Sequence, residues 1–370
     1  MKEIIVTRKV RLFCDNKEDI ATIFKWQRMV RKSANMIMTN HYVMDNIKDM
    51  IYLDEGFKIK LQDRTVKDED GVLTCSRQNT TYQIVSKFFK GEMPSTIMTS
   101  LNSSLQSTYS ERRTEIFKGD QSLPSYRNNI PIPFQASSMQ NFIKDEENGR
   151  YKFTLGKIGF NIYFGKDLSR NRLFFERLFA GEYKLCDSSI EIETKIDESD
   201  GKNKTKLFLL AVFKIPQKVV KINNEKVAKV YLDVNHPMII KIGEKYVKHV
   251  GNAEEYLHRR LAIQGALSRL QKNVRYSKGG KGREKKMLAT ERYRKAELNY
   301  ITNRIHSYTR KLIDICIEKQ CGKIILVNQK EKEKEAQKDI KFLLRNWSYY
   351  GMKEKINYKA NIHGIIVEEQ

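Results

Sequence analysis

Val227-Ala-Lys-Val-Tyr-Leu-Asp233 is a β-prone run that delivers one carboxylate at its end, and Val234-Asn-His-Pro237 then turns the chain. Two more short β-prone segments follow, Met238–Ile242 and Lys245–Val250. Beyond them a helical pattern runs from about Ala253 to Lys272. A basic, glycine-bearing loop comes next, and a long helix runs from about Glu284 to Lys319. Lys323-Ile-Ile-Leu-Val327 reads as a buried strand. Ile362-His-Gly-Ile-Ile-Val367 reads as a final strand. With the two helical stretches grouped and a helix allowed before the final strand, the order is three strands, helix, strand, helix, strand.

That order is the RNase H-like one, and it accounts for residues 226–370. Upstream, Ile4–Phe13 is short and β-prone. Ile20, Phe24, Val30, Ala34 and Ile37 recur near helical spacing between Lys17 and Ile51, with Asp15 or Asn16 as the expected N-cap. A loop lies around Asp63–Gly71, and helix-compatible stretches run from Thr80 to Lys90 and from Ser95 to Phe117, the second opening after Pro94. Leu123-Pro-Ser-Tyr-Arg-Asn-Asn-Ile-Pro-Ile-Pro-Phe134 breaks helix with three prolines. The chain then turns β-rich over Tyr151–Phe164, and Ile190–Ile196 and Leu207–Phe213 form a hairpin signal. The expectation is an α+β multidomain protein. Residues 1–16 and 130–225 form a β-barrel, 17–129 form an inserted helical domain, and 226–370 form a truncated RNase H-like domain.

Charge narrows the function. The 370 residues carry 69 Lys and Arg against 45 Asp and Glu, a net charge of +24. Like charges repel in a compact state, and a polyanionic partner is the usual compensation. Tyr256–Leu312 alone holds 16 Lys or Arg and three Glu, a surplus of 13. An anionic membrane fits less well, because no run of 18 apolar residues exists. Five scattered cysteines suggest no disulfide framework, and without a Cys-x-x-Cys pair no zinc ribbon is expected. No signal peptide is visible, so a reducing cytoplasm is the expected setting.

RNase H-like nucleases gather carboxylates at strand ends around two divalent cations about 3.5–4 Å apart. They need an Asp on the first strand, a Glu at the end of the fourth and an Asp beyond the fifth. Asp233 fits the first position. The fourth strand runs into Asn328, whose amide carries no charge. The chain ends three residues after Val367, leaving Glu368 and Glu369 as nearby acids and no place for the third.

Residues 226–370 resemble the RuvC domain of TnpB, the transposon-encoded RNA-guided nuclease, and of the compact type V CRISPR effectors descended from it. The resemblance rests on Tyr231-Leu-Asp-Val-Asn-His-Pro237, Gly279-Gly-Lys-Gly-Arg283, Asn303-Arg-Ile-His-Ser307, Lys323-Ile-Ile-Leu-Val-Asn328, and Trp347 through Asn357-Tyr-Lys-Ala-Asn-Ile-His-Gly-Ile365. Leu123-Pro-Ser-Tyr126 is similar to the family's junction between recognition and wedge domains. Val234 stands where a glycine usually follows the first Asp, and Asn328 stands for the second catalytic Glu. These departures resemble the nuclease-dead TnpB-like repressors (TldR).

The resemblance implies a wedge-like barrel, a helical recognition domain, a guide RNA as bound component and a double-stranded DNA target beside a short flanking motif. It implies transcriptional repression without catalysis, with Asp233 a relic and no metal or cofactor required for chemistry, in a cytoplasmic, nucleoid-associated prokaryotic protein. The family reads its flanking motif from helices such as the one that Ser76-Arg-Gln-Asn-Thr-Thr-Tyr-Gln83 opens. Gln78, Asn79, Thr80 and Gln83 are the candidates for that task, with N-capping by Asn79 or Thr80 as the plain alternative. Arg259, Arg260, Lys272, Arg275, Lys278, Lys281, Arg283, Lys285, Lys286, Arg292 and Arg294 are candidates for nucleic-acid backbone contact, several of them on the flexible Gly279–Lys286 loop. Trp347, Tyr349 and Tyr350 are able to stack on bases, with core packing as the competing role. His236 and His363 are isolated and are not expected to be ligands. Two other readings stay open: an active metal-dependent RNA-guided endonuclease of the TnpB type, in which Glu368 or Glu369 replaces a lost acid, and a general RNA-binding protein or transposon remnant.

Overall fold

Period-two burial builds the first sheet. In β1 (Glu3–Cys14), Val6, Val10 and Leu12 are buried while Ile5 and Phe13 face outward. The structure, a computed structural model, describes residues 3–16, 18–51, 77–145, 150–196, 203–217, 220–231, 236–275, 281–327 and 349–369. Ile5–Ile215 form one compact unit, and Pro216–Gln370 with Met1–Ile4 form another. The first unit thus holds both the helical stretch and the β-rich stretch.

After β1 come α1 (Asp19–Ile51), α2 (Arg77–Phe89) and α3 (Ser95–Phe117). There follow β2 (Ile132–Phe134), β3 (Gln140–Lys144), β4 (Tyr151–Leu155), β5 (Ile158–Tyr163), α4 (Asn171–Phe179), β6 (Lys184–Ile196) and β7 (Asn203–Pro216). The strands form one antiparallel sheet in the order β2-β6-β7-β1-β5-β4-β3. It curls into a half-barrel, not the closed barrel expected from the alternation. The end strands explain this. β2 has three residues and β3 has five, with a register shift between Gln140 and Ile143, so neither supplies a ladder long enough for closure.

The concave side is aromatic. Phe175 of α4 is fully buried, with ring centroids 5.2 Å from Phe213 and 5.4 Å from Phe164. The helices pack through Ile23, Val30, Ala34 and Ile37 of α1 and Leu101, Leu105 and Tyr109 of α3, all buried. A deeply buried carboxylate, Asp45 of α1, accepts from Tyr109 Oη at 2.9 Å and Arg113 Nε at 2.7 Å. Helix α1 starts at Asp19, so the expected Asp15 cap is not one. Asp15 instead accepts from Asn161 Nδ2, and its N–H donates to the Gly159 carbonyl at 3.2 Å.

The second unit contains β8 (Asn223–Tyr231), β9 (Met238–Ile242), β10 (Tyr246–Val250), α5 (Ala253–Arg275), α6 (Lys281–Glu318), β11 (Cys321–Leu326), α7 (Tyr349–Ile362) and β12 (Ile366–Glu369). The sheet order is β10-β9-β8-β11-β12. The first three strands form an antiparallel meander; β11 runs parallel to β8, and β12 parallel to β11. Ala228, Val230, Met238, Ile240, Ile324 and Leu326 of the sheet pack with Leu312, Ile313 and Cys316 of α6 and Met352, Ile356 and Ala360 of α7. Burial pushes the Cys316 thiol up to about 12.

Two expected boundaries move. Helix α7 persists to Ile362, Gly364 turns the chain at φ +75°, and the last strand starts at Ile366 instead of Ile362. Helix α6 starts at Lys281, so most of the expected Gly279–Lys286 loop is its first turns; despite Gly282, a run with Lys281, Arg283, Glu284, Lys285 and Lys286 has adequate helix propensity.

Candidate nucleic-acid interface

The parallel strands β8, β11 and β12 bring three strand ends to one end of the sheet. Leu326 pairs with Val230, and the Val327 N–H donates to the Val230 carbonyl at 3.0 Å. Asp233 follows the end of β8 by two residues and Asn328 follows the end of β11 by two; both lie outside the described residues. On the neighbouring β12, Glu368 pairs in register with Ile325 and Glu369 with Leu326. Successive residues of a strand point to opposite faces, so the two acids do not converge. Each is also met by a lysine: Lys323 Nζ lies 2.7 Å from Glu368 and Lys353 Nζ 3.1 Å from Glu369. The carboxylates that this end offers among the described residues therefore do not fit a pair of divalent cations. His236, expected to be isolated, is not: its ring meets His249 edge to face, centroids 4.5 Å apart. His363 is buried in the turn after α7.

The basic stretch folds as the pair α5 and α6. Arg259, Lys272 and Arg294 are exposed. Arg269, one turn before Lys272 and also exposed, belongs with them; its i, i+3 spacing from Lys272 was the available signal. Arg260 has a different role from the one expected. It is fully buried, with Nε and Nη2 each 3.0 Å from Glu297 Oε1, so it ties α5 to α6 and is withheld from any phosphate. Beside that pair, Gln264, Leu267, Ser268, Gln271, Arg294 and Leu298 line an open cleft of about 430 Å³. Arg275, Lys281, Arg283, Lys285, Lys286 and Arg292 lie on the two helices, but their side chains, like the whole of Lys278, lie outside the described residues.

Where α6 meets α7, Lys359 Nζ donates to the His306 carbonyl at 2.6 Å and to Thr309 Oγ1 at 2.8 Å. Burial, then the nearby Arg310 and Lys355, bring Lys359 down to about 8. Burial, then Lys359 and Lys355, lower His306. Of the expected stacking residues, Trp347 lies outside the described residues. Tyr349 and Tyr350 open α7, with side chains also outside them.

Helix α2 separates the four motif-reading candidates. Thr80 is 3% exposed and Thr81 1%, and Thr81 Oγ1 donates to Asn102 Oδ1 of α3 at 2.6 Å. Thr80 therefore faces the helical core and is not placed to read a base edge. Gln83, two positions and so about 200° round the helix from Thr81, is exposed. The Gln78 and Asn79 side chains lie outside the described residues.

A half-barrel carrying helices, together with a mixed five-stranded sheet faced by basic helices, defines a mixed α/β fold that matches a solved Cas12f1 structure. It superposes on the Cas12f1 chain of a cryo-EM Cas12f1–sgRNA–target DNA complex with a TM-score of 0.70, covering 99% of this chain and 89% of that one at 14% identity. In sequence the chain is homologous to the CRISPR-associated endodeoxyribonuclease Cas12f1 of Sulfoacidibacillus thermotolerans, 25% identical over 267 residues, 68% of this chain. It is 23% identical over 314 residues, 81% of this chain, to that of Syntrophomonas palmitatica. The matches span 60% and 62% of those relatives' lengths. No family model matches the chain.

Proposed function

We propose that the chain is an RNA-guided DNA-binding protein that does not cut DNA. A guide RNA pairs with one strand of a matched double-stranded target, and the protein holds the heteroduplex by its phosphates and reads a short flanking motif. Occupying a promoter in this way blocks transcription. The similarity to Cas12f1, solved with sgRNA and target DNA, supports the RNA and DNA partners. The RNase H-like strand order of the second unit supports a RuvC-type domain.

One observation carries the loss of cutting: the chain leaves β11 into Asn328, where the chemistry asks for a carboxylate. Two cations about 3.5–4 Å apart need anionic ligands to offset their repulsion, and an amide supplies none. The acids of β12, each engaged by a lysine, do not make up the deficit. A second reading, active endonuclease, is favoured by the relatives' name.

Sequencing the RNA that co-purifies tests the guided reading: one species with a constant scaffold and a short variable segment is expected, and a random mixture overturns it. Incubating the loaded protein with a matched duplex and Mg²⁺ separates the two readings. Intact DNA is expected, and strand scission establishes the nuclease.

A further inference from the structure

The convex face of the half-barrel carries an aromatic pair that the fold does not bury. Phe13 of β1 is 43% exposed and Tyr163 of β5 is 53% exposed. They lie on the same face because Tyr163 pairs in register with Arg11, two residues from Phe13. Their rings meet edge to face, centroids 5.5 Å apart at 72°. In that arrangement at most one of the four ring faces is covered by the partner ring. Arg11 lies over Phe13, its guanidinium carbon 4.7 Å from the ring centroid. Arg11 Nε is removed from solvent and donates to no acceptor among the described residues. The other polar groups nearby are engaged: Asn161 binds Asp15, and Lys152 lies 3.0 Å from Asp145.

Exposed aromatic rings braced by a guanidinium form a platform for a flat, polar, π-faced ligand. In a chain of net charge +24 that ligand is a nucleobase on a phosphate backbone. We propose that Arg11, Phe13 and Tyr163 form a stacking site for an unpaired base of bound RNA, with the guanidinium reaching the base or its phosphate. RNA fits better than the duplex target, whose bases are already stacked on one another, whereas RNA loops and bulges present bases to aromatic and guanidinium planes. The site rests on the reading of the chain as an RNA binder, but not on the loss of cutting.

The test uses the full chain and an oligouridine of about 20 nucleotides containing one 2-aminopurine, longer than the site size of a single-strand-binding module. Tyr163→Ala and Phe13→Ala are expected to weaken binding about 5- to 150-fold for each base left unstacked and to remove the quenching of 2-aminopurine. Tyr163→Trp retains both signals, and Ile143→Ala, exposed on the same sheet, leaves both unchanged. A purely structural cross-strand pair predicts a lower unfolding midpoint with unchanged affinity, and that result overturns the site. In the unmodified chain, photocrosslinking of 4-thiouridine oligonucleotide is expected at Phe13 or Tyr163; crosslinks only elsewhere overturn the site even if a variant fails to fold. Oligothymidine binding as tightly as oligouridine overturns the assignment to RNA. The identity of the co-purified RNA is read independently, so a failed platform and a failed guide reading are told apart.

Discussion

Arg260 and Glu297 form a buried ion pair between α5 and α6, with Arg260 fully buried and the Glu297 side chain 7% exposed. Gln264 Nε2 adds a donor to the same carboxylate oxygen at 3.4 Å. Removing one charge strands the other away from water. Glu297→Ala is expected to destabilise the chain by about 3–5 kcal/mol in urea unfolding. Replacing both, Arg260→Met with Glu297→Leu, is expected to recover most of that loss, because neither charge then needs desolvating. A double variant as unstable as the single one would show that the pair contributes more than it costs to bury.

Arg259, Arg269, Lys272 and Arg294 are four of the exposed cations of the same helices, and they carry the electrostatic prediction. Each phosphate that is no longer neutralised is expected to flatten the plot of log affinity against log salt by about 0.9 on duplex DNA. Changing all four to Ala should therefore weaken binding to matched and unmatched duplexes alike, read by fluorescence anisotropy from low to moderate salt. An unchanged slope would remove this face from the phosphate-binding surface. The same measurement on Lys285→Ala with Lys286→Ala asks whether the first turns of α6 share it.

Lys359 has a pH signature. Its ammonium is destabilised chiefly by burial and is lost near pH 8, against about 10.5 for an ordinary lysine. Below pH 8 both native and unfolded chains hold the proton, and the burial penalty is fully present. Between about pH 8 and 10.5 the unfolded chain binds the proton that the native chain has released, so this residue's contribution to stability rises with pH. Competitive amine labelling should show Lys359 reacting with a midpoint near pH 8. The stability of Lys359→Met relative to the parent should be greater at about pH 7 than at about pH 10, on either side of that release. A midpoint in the ordinary lysine range would mean that the bonds to the His306 carbonyl and Thr309 outweigh the burial.

Much of the fold was legible because it is written in periodicity. The long helices α1 and α3 and the run of strands from β8 to β11 follow apolar spacing that survives in isolation. α4 was not legible: in nine residues its one fully buried side chain, Phe175, cannot be told from a strand or loop aromatic. Barrel closure was not legible either, since it depends on whether the edge strands meet, and alternation describes one strand at a time. At the site, composition identified α5 and α6 as the basic helices but could not separate Arg259 from Arg260. Adjacent helical positions point about 100° apart, and only packing against Glu297 reveals which one is buried. Thr80 misled for the same reason, as a polar residue turned inward.

Gly322 fixes how closely β11 approaches β8, the two strands that lead to Asn328 and Asp233. A Cβ at this position would stand 2.7 Å from the Asn224 Cα and 2.8 Å from the Asn223 carbonyl oxygen, both backbone atoms with no rotamer to yield. The ladder already shifts register between Cys321 and Lys323, so the close approach sits at an irregular point of the pairing. Gly322→Ala is expected to force the strands apart locally and to destabilise the second unit by about 1–3 kcal/mol. Amide exchange should locate the effect, with protection falling at the β8–β11 ladder and remaining unchanged in β6 and β7 of the other unit. A variant as stable as the parent, with full protection at Lys323–Leu326, would show that the backbone gives way there at little cost and that the register is set by Val230 and Leu326 instead.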